Sequence, residues 1–205
     1  ALKEGDTDVF PIPFEFDAIK FNWKEVRDEL RSVDVLDWAT RPCRSMLSPK
    51  AKFGFRIVTQ LDPLDFLIYT ALIYDVCHEL ELKRIPVSEG RVFSYRISPT
   101  RDGELFDSDV NYRAFLEQCR AKVSQKSSSS VVATTDISDF YSRIYHHRLD
   151  NALRGSVSRA SHVTAIMRLL KGWNNTETFG IPVGCAASRV LAEITLSDVD
   201  EALLA

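Results

Sequence analysis

Residues 131–141, with the sequence VVATTDISDFY, constrain the fold of this chain more than any other segment. The apolar start is typical of a buried β-strand, and its alternation places Val132 and Asp136 on the same face. Asp139 follows at the N-cap position of a helix predicted over residues 140–153. The pattern therefore predicts a strand, a carboxylate at the end of that strand, and a helix in direct succession.

The carboxylate of Asp136 has two interpretations. A carboxylate at a strand end is placed to hold a divalent metal ion beside a substrate phosphate, and Mg²⁺ favours one or two carboxylates completed by water and phosphate oxygens. Alternatively, Asp136 and Asp139 only cap the helix that follows them. This segment alone does not decide between a metal site and a helix cap.

A second segment, FGIPVGCAASRVLAEITLSDVD at 179–200, places Gly180 and Gly184 before a helix predicted over residues 185–204. Glycines let the backbone approach a ligand closely, and the amide groups of a helix N-terminus attract phosphate. A turn that enters a helix without binding anything has the same pattern. The segment gains meaning only in combination with residues 131–141.

Basic residues are concentrated in two stretches, although the chain carries a net charge of −3. Residues 41–56 contain no acidic residue, and residues 143–171 contain only Asp150. The basic residues in these stretches are Arg41, Arg44, Lys50, Lys52 and Arg56, then Arg143, Arg148, Arg154, Arg159, Arg168 and Lys171. The distribution predicts two local phosphate-facing surfaces and argues against a uniformly basic nucleic-acid coat.

The remaining composition predicts a cytoplasmic protein without a membrane partner. Four scattered cysteines with no CxxC pair indicate reduced thiols rather than a disulfide framework or a zinc site. No window approaches the ~20 apolar residues of a membrane span, and no signal-peptide pattern is visible.

Hydrophobic periodicity predicts a helix-rich chain with short strands. The run KSSSS at 126–130 predicts a linker between a mixed N-terminal region and a second unit. The predicted elements are an extended arm at 1–16, helices at 17–38, 64–82, 110–123, 140–153, 159–173 and 185–204, and strands at 53–59, 91–98 and 131–137.

Together and in this order, these segments resemble the reverse transcriptases. DISDFY at 136–141 looks like the A motif of the palm, often DxxxFF in bacterial members. GIPVGCAASRVLAE at 180–193 looks like the B motif, usually GxPQGxxxSxxLxx, and residues 41–72 are similar to the fingers region. GIPxGxxxSRxLAE followed by a VD pair resembles prokaryotic members of the abortive-infection and phage-defence type.

The resemblance implies an α+β fold of right-hand polymerase architecture, helix-rich with a small antiparallel sheet. Its parts would be an N-terminal arm and helix at 1–40, fingers at 41–130, and a partial palm at 131–205. It implies an RNA-directed DNA polymerase that transfers nucleotides from deoxynucleoside triphosphates to a primer 3′-hydroxyl, with Mg²⁺ or Mn²⁺. RNA template and DNA primer would be partners, with a noncoding RNA, an accessory antiphage-defence protein or an oligomer as further expectations.

Residue roles follow from the same resemblance. Asp136 would be catalytic and would bind the metal together with the carbonyl group of Ile137. Tyr141 falls where the family places an aromatic steric gate against a 2′-hydroxyl, although it also fits the core stripe of the predicted helix. The implied substrate contacts are Lys50, Lys52, Arg56, Tyr141, Gly184 and Ser188, and the implied nucleic-acid contacts are Arg41, Arg44, Pro182 and Arg189.

The chain departs from the family pattern in two places. Val183 stands where Gln is common, and the YxDD motif is not among the 205 residues. Two-metal phosphoryl transfer needs a second carboxylate. Asp139 is expected to cap a helix, while Asp198 and Asp200 are expected on a helix surface. The 205 residues alone are therefore not expected to catalyse polymerisation.

Other interpretations stay open at this point. His146 and His147 point roughly 100° apart on a helix, so we expect surface or template-side residues rather than a shared metal site. A template-independent or protein-primed DNA polymerase is one alternative function. A nucleic-acid-binding or oligomerisation module without catalysis is another.

Overall fold

The computed structural model describes residues 13–50, 54–101, 103–126, 131–175 and 177–204. Within these ranges, the chain is helix-rich and contains one two-stranded antiparallel sheet, which confirms the expected α+β character. The elements are α1 (Glu15–Phe21), α2 (Trp23–Ser32), β1 (Arg44–Pro49), β2 (Phe55–Gln60), α3 (Pro63–Glu81), α4 (Tyr112–Ser124), α5 (Phe140–Arg143), α6 (His146–Arg154), α7 (Ala160–Asn174) and α8 (Ala186–Leu204).

Helix α3 lies at the centre of the fold. Asp62 caps it by accepting a hydrogen bond from the Leu64 amide at 2.9 Å, and Pro63 occupies the first turn, where its missing N–H costs nothing. Because apolar side chains cover most of its circumference, the helix must be enclosed by other elements. It packs against α7 and α8. The helix predicted over residues 64–82 is confirmed.

Helices α6, α7 and α8 complete the core, with α6 packed against both of the others. Full burial of each large aliphatic side chain stabilises the fold by roughly 1.5–3 kcal/mol. The helices predicted over residues 110–123, 159–173 and 185–204 are confirmed. The largest fully buried side chains are Tyr69, Ile73, Leu80, Leu149, Leu153, Ile166, Leu169, Leu170, Leu191 and Ile194.

Strands β1 and β2 form a hairpin in which Leu47 lies opposite Ile57. One face turns Val58 into the protein, whereas the opposite face leaves Leu47, Phe55 and Ile57 exposed. The strand predicted over residues 53–59 is confirmed in its described part. No strand was predicted at residues 44–49, yet β1 pairs along its whole length with β2.

The strand predicted over residues 131–137 is absent from the structure. These residues form an exposed irregular segment, in which the Val131 side chain is 92% exposed and that of Val132 is 65% exposed. No strand within the described ranges pairs with the segment, so its backbone groups have no ladder partner. The expected strand-end position of Asp136 was therefore wrong: Asp136 lies in an exposed loop.

The helix predicted over residues 140–153 is broken into α5 and α6. Segment 178–180 supplies the competing hydrogen bonds: Gly180 N donates to Ile144 O at 2.8 Å, and His146 N donates to Thr178 O at 2.9 Å. Tyr145, which lies within the predicted helix, forms a bridge with Phe179 and is 60% exposed. Pairing with a distant segment has overridden local helical periodicity here.

Two further predictions were only partly right. The helix expected at 17–38 is two helices that meet at Asn22, and the last turn is a 3-10 helix (Val35–Asp37). Of the arm expected at 1–16, residues 1–12 lie outside the described residues, and Glu15 and Phe16 already belong to α1. The strand expected at 91–98 is reduced to a single bridge between Ile97 and Phe106.

The expected linker is described only at Lys126, since residues 127–130 lie outside the described ranges. Helix α3 belongs to the expected fingers, whereas α7 and α8 belong to the expected palm, and all three share one core. None of the described helices combines the length and apolar character needed to cross a membrane. All four cysteines are free thiols.

Candidate functional site

Three segments singled out by the sequence meet beside the N-terminus of α8. Thr59 at the end of β2 donates its backbone N–H to Val183 O at 3.1 Å, which joins the hairpin to the GIPVG loop. Ile181 N donates to Tyr141 O at 3.0 Å, which joins the same loop to α5. We call this meeting point the junction, formed by β1–β2, residues 136–141 and residues 180–184.

A contact between side chains also closes the junction. Lys50 Nζ, just after β1, lies 3.0 Å from Asp139 Oδ1. The hydrogen bond from Lys50 holds the pKa of Asp139 below its usual range. Asp139 occupies the predicted N-cap position of α5, with φ 52, but its side chain makes no cap hydrogen bond. Its carboxylate binds Lys50 across 89 residues of sequence instead.

Asp136 is exposed, and it has no hydrogen-bond or ion-pair partner among the described residues. The Ile137 side chain is also exposed. No group of three or more His, Cys, Asp or Glu side chains within the described ranges is arranged to hold a metal ion. Since Lys50 occupies Asp139, the loop offers one free carboxylate. One free carboxylate fits a single Mg²⁺ that is shared with nucleotide phosphates, but it does not fit a closed two-ion site.

Tyr141 lies half-buried between the junction and the core. Burial raises the pKa of its hydroxyl, and the nearby Arg189 acts weakly in the opposite direction, so the side chain is neutral across the physiological range. Its carbonyl group is fixed by the GIPVG loop. The structure thus holds Tyr141 firmly while leaving part of it accessible.

The glycines of the GIPVG loop have the backbone freedom that the sequence suggested. Gly180 has φ 90 and Gly184 has φ 129, a region that other residues rarely adopt. A Cβ on Gly180 would stand 3.4 Å from Ser142 O, an ordinary contact distance, so the positive φ rather than the space favours glycine there.

Two predicted contact residues of this segment are buried. Ser188 has 0% exposure, and its Oγ lies 3.2 Å from the Tyr69 hydroxyl and 3.0 Å from Cys185 Sγ. Pro182 is buried as well. Neither side chain is exposed at the surface of this structure, and their contacts with substrate and nucleic acid stay predictions. The two residues position the loop and the start of α8.

The predicted basic contacts separate into paired and unpaired residues. Arg56 on β2 and Arg44 on β1 are exposed, and their side chains have no partner among the described residues. Arg41 lies over the Trp38 ring at 5.1 Å and 3.5 Å from Asp65. Lys52 lies outside the described residues.

The second basic stretch is largely neutralised by the protein itself. Arg148, Arg154 and Arg159 pair with carboxylates at 2.7, 2.9 and 2.6 Å, on Asp198, Asp150 and Asp75 respectively. Arg168 donates to Leu36 O. This stretch therefore presents less positive potential than its composition predicted, and the hairpin is the better candidate for contact with phosphate.

Sequence reasoning missed the role of His146. It was expected on the surface, yet it is buried, and its Nε2 lies 2.7 Å from Gly180 O. Asn174 Nδ2 donates to the same oxygen at 2.7 Å. Together they hold the first glycine of the GIPVG loop, so His146 is a positioning residue. No sequence signal distinguishes it from the exposed His147 beside it.

A buried ionic cluster behind the junction was also missed. Arg84 donates to Glu193 Oε2 at 2.7 Å and to Glu81 Oε2 at 3.2 Å, and Arg96 pairs with Glu81. Burial raises the pKa of Glu193 and lowers that of Arg96. Glu193 belongs to the LAE end of the B-like motif. An acidic residue within an otherwise apolar helix was the one sequence signal that could have predicted this cluster.

The geometry places exposed basic side chains of the hairpin, the exposed carboxylate of Asp136 and the half-buried Tyr141 near a glycine-rich loop. Comparison of the chain with protein-family models and with curated proteins finds no match.

Proposed function

We propose that this chain forms the nucleotide- and template-binding part of an RNA-directed DNA polymerase, with fingers at 41–130 and a partial palm at 131–205. The junction carries this proposal, because it unites the hairpin, the DISDFY segment and the GIPVG loop through the contacts at Val183, Tyr141 and Lys50. Nucleotidyl transfer depends chiefly on positioning and on charge stabilisation, which such a convergence supplies.

Asp136 and the carbonyl group of Ile137 would hold Mg²⁺ or Mn²⁺ together with the phosphate oxygens of a nucleotide. A bound divalent ion neutralises phosphate charge and orients the triphosphate. The accessibility of Asp136 supports this role, since a carboxylate already engaged by protein donors would first have to release them.

Arg56 is the first candidate for the triphosphate, because a strand-borne guanidinium binds phosphate oxygens in pairs. Lys50 would exchange Asp139 for a phosphate, and Lys52, which lies outside the described residues, would be a further phosphate contact. Gly184 gives the backbone room for a ligand. Tyr141 would pack beneath the sugar and exclude a 2′-hydroxyl.

Template and primer would lie along Arg44, Arg41 and Arg189. The biological setting in this proposal is antiphage defence in a prokaryotic cytoplasm, in keeping with the four free thiols. A noncoding RNA or an accessory defence protein would complete the system. Synthesis without a template, or from a protein primer, uses the same site and is separated by a product assay with and without added RNA.

A nucleic-acid-binding module without catalysis is the second candidate. The exposed, unpaired Arg44 and Arg56 on one hairpin favour it, since they would bind a phosphate backbone without Asp136 or a metal ion. Dependence on Mg²⁺ and on Asp136 therefore distinguishes the two functions.

Asp136→Asn is the direct test. We expect about tenfold weaker binding of a deoxynucleoside triphosphate in Mg²⁺, because the shared ion loses its protein ligand. Equilibrium binding measured with and without Mg²⁺ checks this, and primer extension with the protein expressed from its complete gene checks catalysis. Asp109→Asn is the matched control, since Asp109 is exposed and its carboxylate has no partner among the described residues.

Equal affinities of Asp136→Asn and the unaltered protein for nucleotide in Mg²⁺ would rule out the proposed metal site. Binding of RNA or DNA without any Mg²⁺-dependent nucleotide binding would support the non-catalytic module.

A further inference from the structure

Tyr95 has a backbone conformation that a bulky residue rarely adopts. Its φ is 42, in the left-handed region, and it is one of three non-glycine residues there in the described ranges. The other two are Asp139 and Asn175, residue types that tolerate this region better. Strain at a tyrosine persists only where the surroundings enforce it, and such positions concentrate at ligand sites.

The side chain of Arg84 enforces this conformation. Its guanidinium donates to Ser94 O at 2.6 Å and to Tyr95 O at 2.9 Å, so it grips the backbone on both sides of the strained residue. Glu193 holds Arg84 at 2.7 Å and also accepts from Ser94 Oγ at 2.7 Å. The buried ionic cluster therefore fixes the backbone of one partly exposed residue, Tyr95.

The hydrogen bonds from Arg84 hold the Tyr95 ring beside Arg189. The Tyr95 side chain is 39% exposed despite the buried cluster beneath it. Its ring lies 5.3 Å from the Phe106 ring, and the Arg189 guanidinium lies over it at 5.3 Å from the ring centre. Tyr95 and Arg189 also lie near enough to Tyr141 to influence its ionisation. We call Tyr95, Tyr141 and Arg189 the tyrosine–arginine wall.

We propose that Tyr95 and Arg189 form a stacking surface for the base of a nucleoside triphosphate whose sugar packs on Tyr141. Nucleobases stack on aromatic rings and on guanidinium planes, whatever their sequence identity. This inference rests on the proposed nucleotide site and names the part of the protein that contacts the base. Arg84 acts through Tyr95 and is a positioning residue.

The test separates stacking from folding through Tyr95→Gly. Glycine adopts φ 42 without strain, so thermal stability should hold or rise while the ring is lost. We expect about tenfold weaker binding of dATP, because one stacking partner is removed, and unchanged binding of inorganic tripolyphosphate, which has no base. Tyr95→Asn repeats the experiment with another residue that tolerates this conformation, and Tyr112→Leu, an exposed tyrosine on α4, is the control.

Each outcome decides the matter. If the unaltered protein and Tyr95→Gly bind dATP with equal affinity, the proposal of a stacking surface is wrong and the proposed function stands. If dATP and tripolyphosphate binding fall together, Tyr95 only maintains the fold, and the inference is again overturned. If the unaltered protein binds neither compound, the proposed nucleotide site fails and this inference fails with it.

Discussion

Asp65 and Asp136 carry the same side chain in opposite surroundings. Asp65 has no exposure and accepts hydrogen bonds from Trp38 Nε1 at 2.8 Å, Arg41 N at 2.8 Å and Trp173 Nε1 at 3.0 Å. Asp136 lies in an exposed loop without a partner among the described residues. A carboxylate with occupied oxygens holds the fold together, whereas a carboxylate with free oxygens is available to a ligand.

Two arginines show the same contrast between a side chain bound by the protein and an exposed side chain. Arg84 is buried and donates to four oxygens of the protein, whereas Arg56 is exposed on β2. We therefore expect substitutions in the first class to change stability and substitutions in the second to change binding.

The largest expected effect is that of Arg84→Ala. Removal of Arg84 leaves the buried carboxylate of Glu193 without its cationic partner, which costs about 3–5 kcal/mol of unfolding free energy. Urea unfolding followed by circular dichroism measures this loss. Arg56→Ala serves as the comparison and should leave stability within about 0.5 kcal/mol, while raising the apparent KM for a deoxynucleotide in the polymerase assay. Equal stability losses would break the distinction between the two classes.

Asp65→Ala is expected to have the next largest effect, about 2–3 kcal/mol, because part-buried donors on three other residues lose their buried acceptor. The same unfolding experiment applies. Asp136→Ala should leave the unfolding free energy within about 0.5 kcal/mol, as an exposed substitution without contacts does. A marked destabilisation by Asp136→Ala would show that its loop is a structural element after all.

The smallest expected effect concerns the Lys50–Asp139 pair, which is exposed on both sides. A double-mutant cycle on the two residues should give a favourable coupling that weakens in high salt. The depressed pKa of Asp139 fixes the pH dependence, since the contribution is complete above the ordinary pKa of aspartate. It is then lost as the pH falls through the lowered value in the folded protein. Coupling that persists below that value would contradict the pairing.

The sequence predicted best the elements whose apolar period is long and unbroken. Helices α3, α7 and α8 follow this rule, since burying a continuous apolar surface leaves few alternatives. The hairpin was half predicted, because β2 is apolar while the partner strand β1 begins with Arg44 and Ser45 and reads as a loop. Residues 131–137 were predicted as a strand because they begin with an apolar run. Such a run forms a strand only when another strand pairs with it.

The candidate site was predictable in its motifs but not in its contacts. The backbone freedom of Gly180 is visible in the sequence, whereas its anchoring by His146 and Asn174 depends on residues 34 and 6 positions away. Likewise, Asp65 lies in the first turn of α3, where a carboxylate suits the helix dipole, and this position does not reveal the donors around its side chain. Its bond with Trp173 spans 108 residues and leaves no periodic signal.

The shared carboxylate of Asp65 also gives the protein an internal optical reporter. Two of its three tryptophans, Trp38 and Trp173, donate their indole N–H groups to this one side chain from distant parts of the sequence. Indole emission depends on the polarity and hydrogen bonding around the ring, so separation of the segment before β1 from α7 would change the emission of both at once. Opening of this region can therefore be followed in solution without attaching a dye.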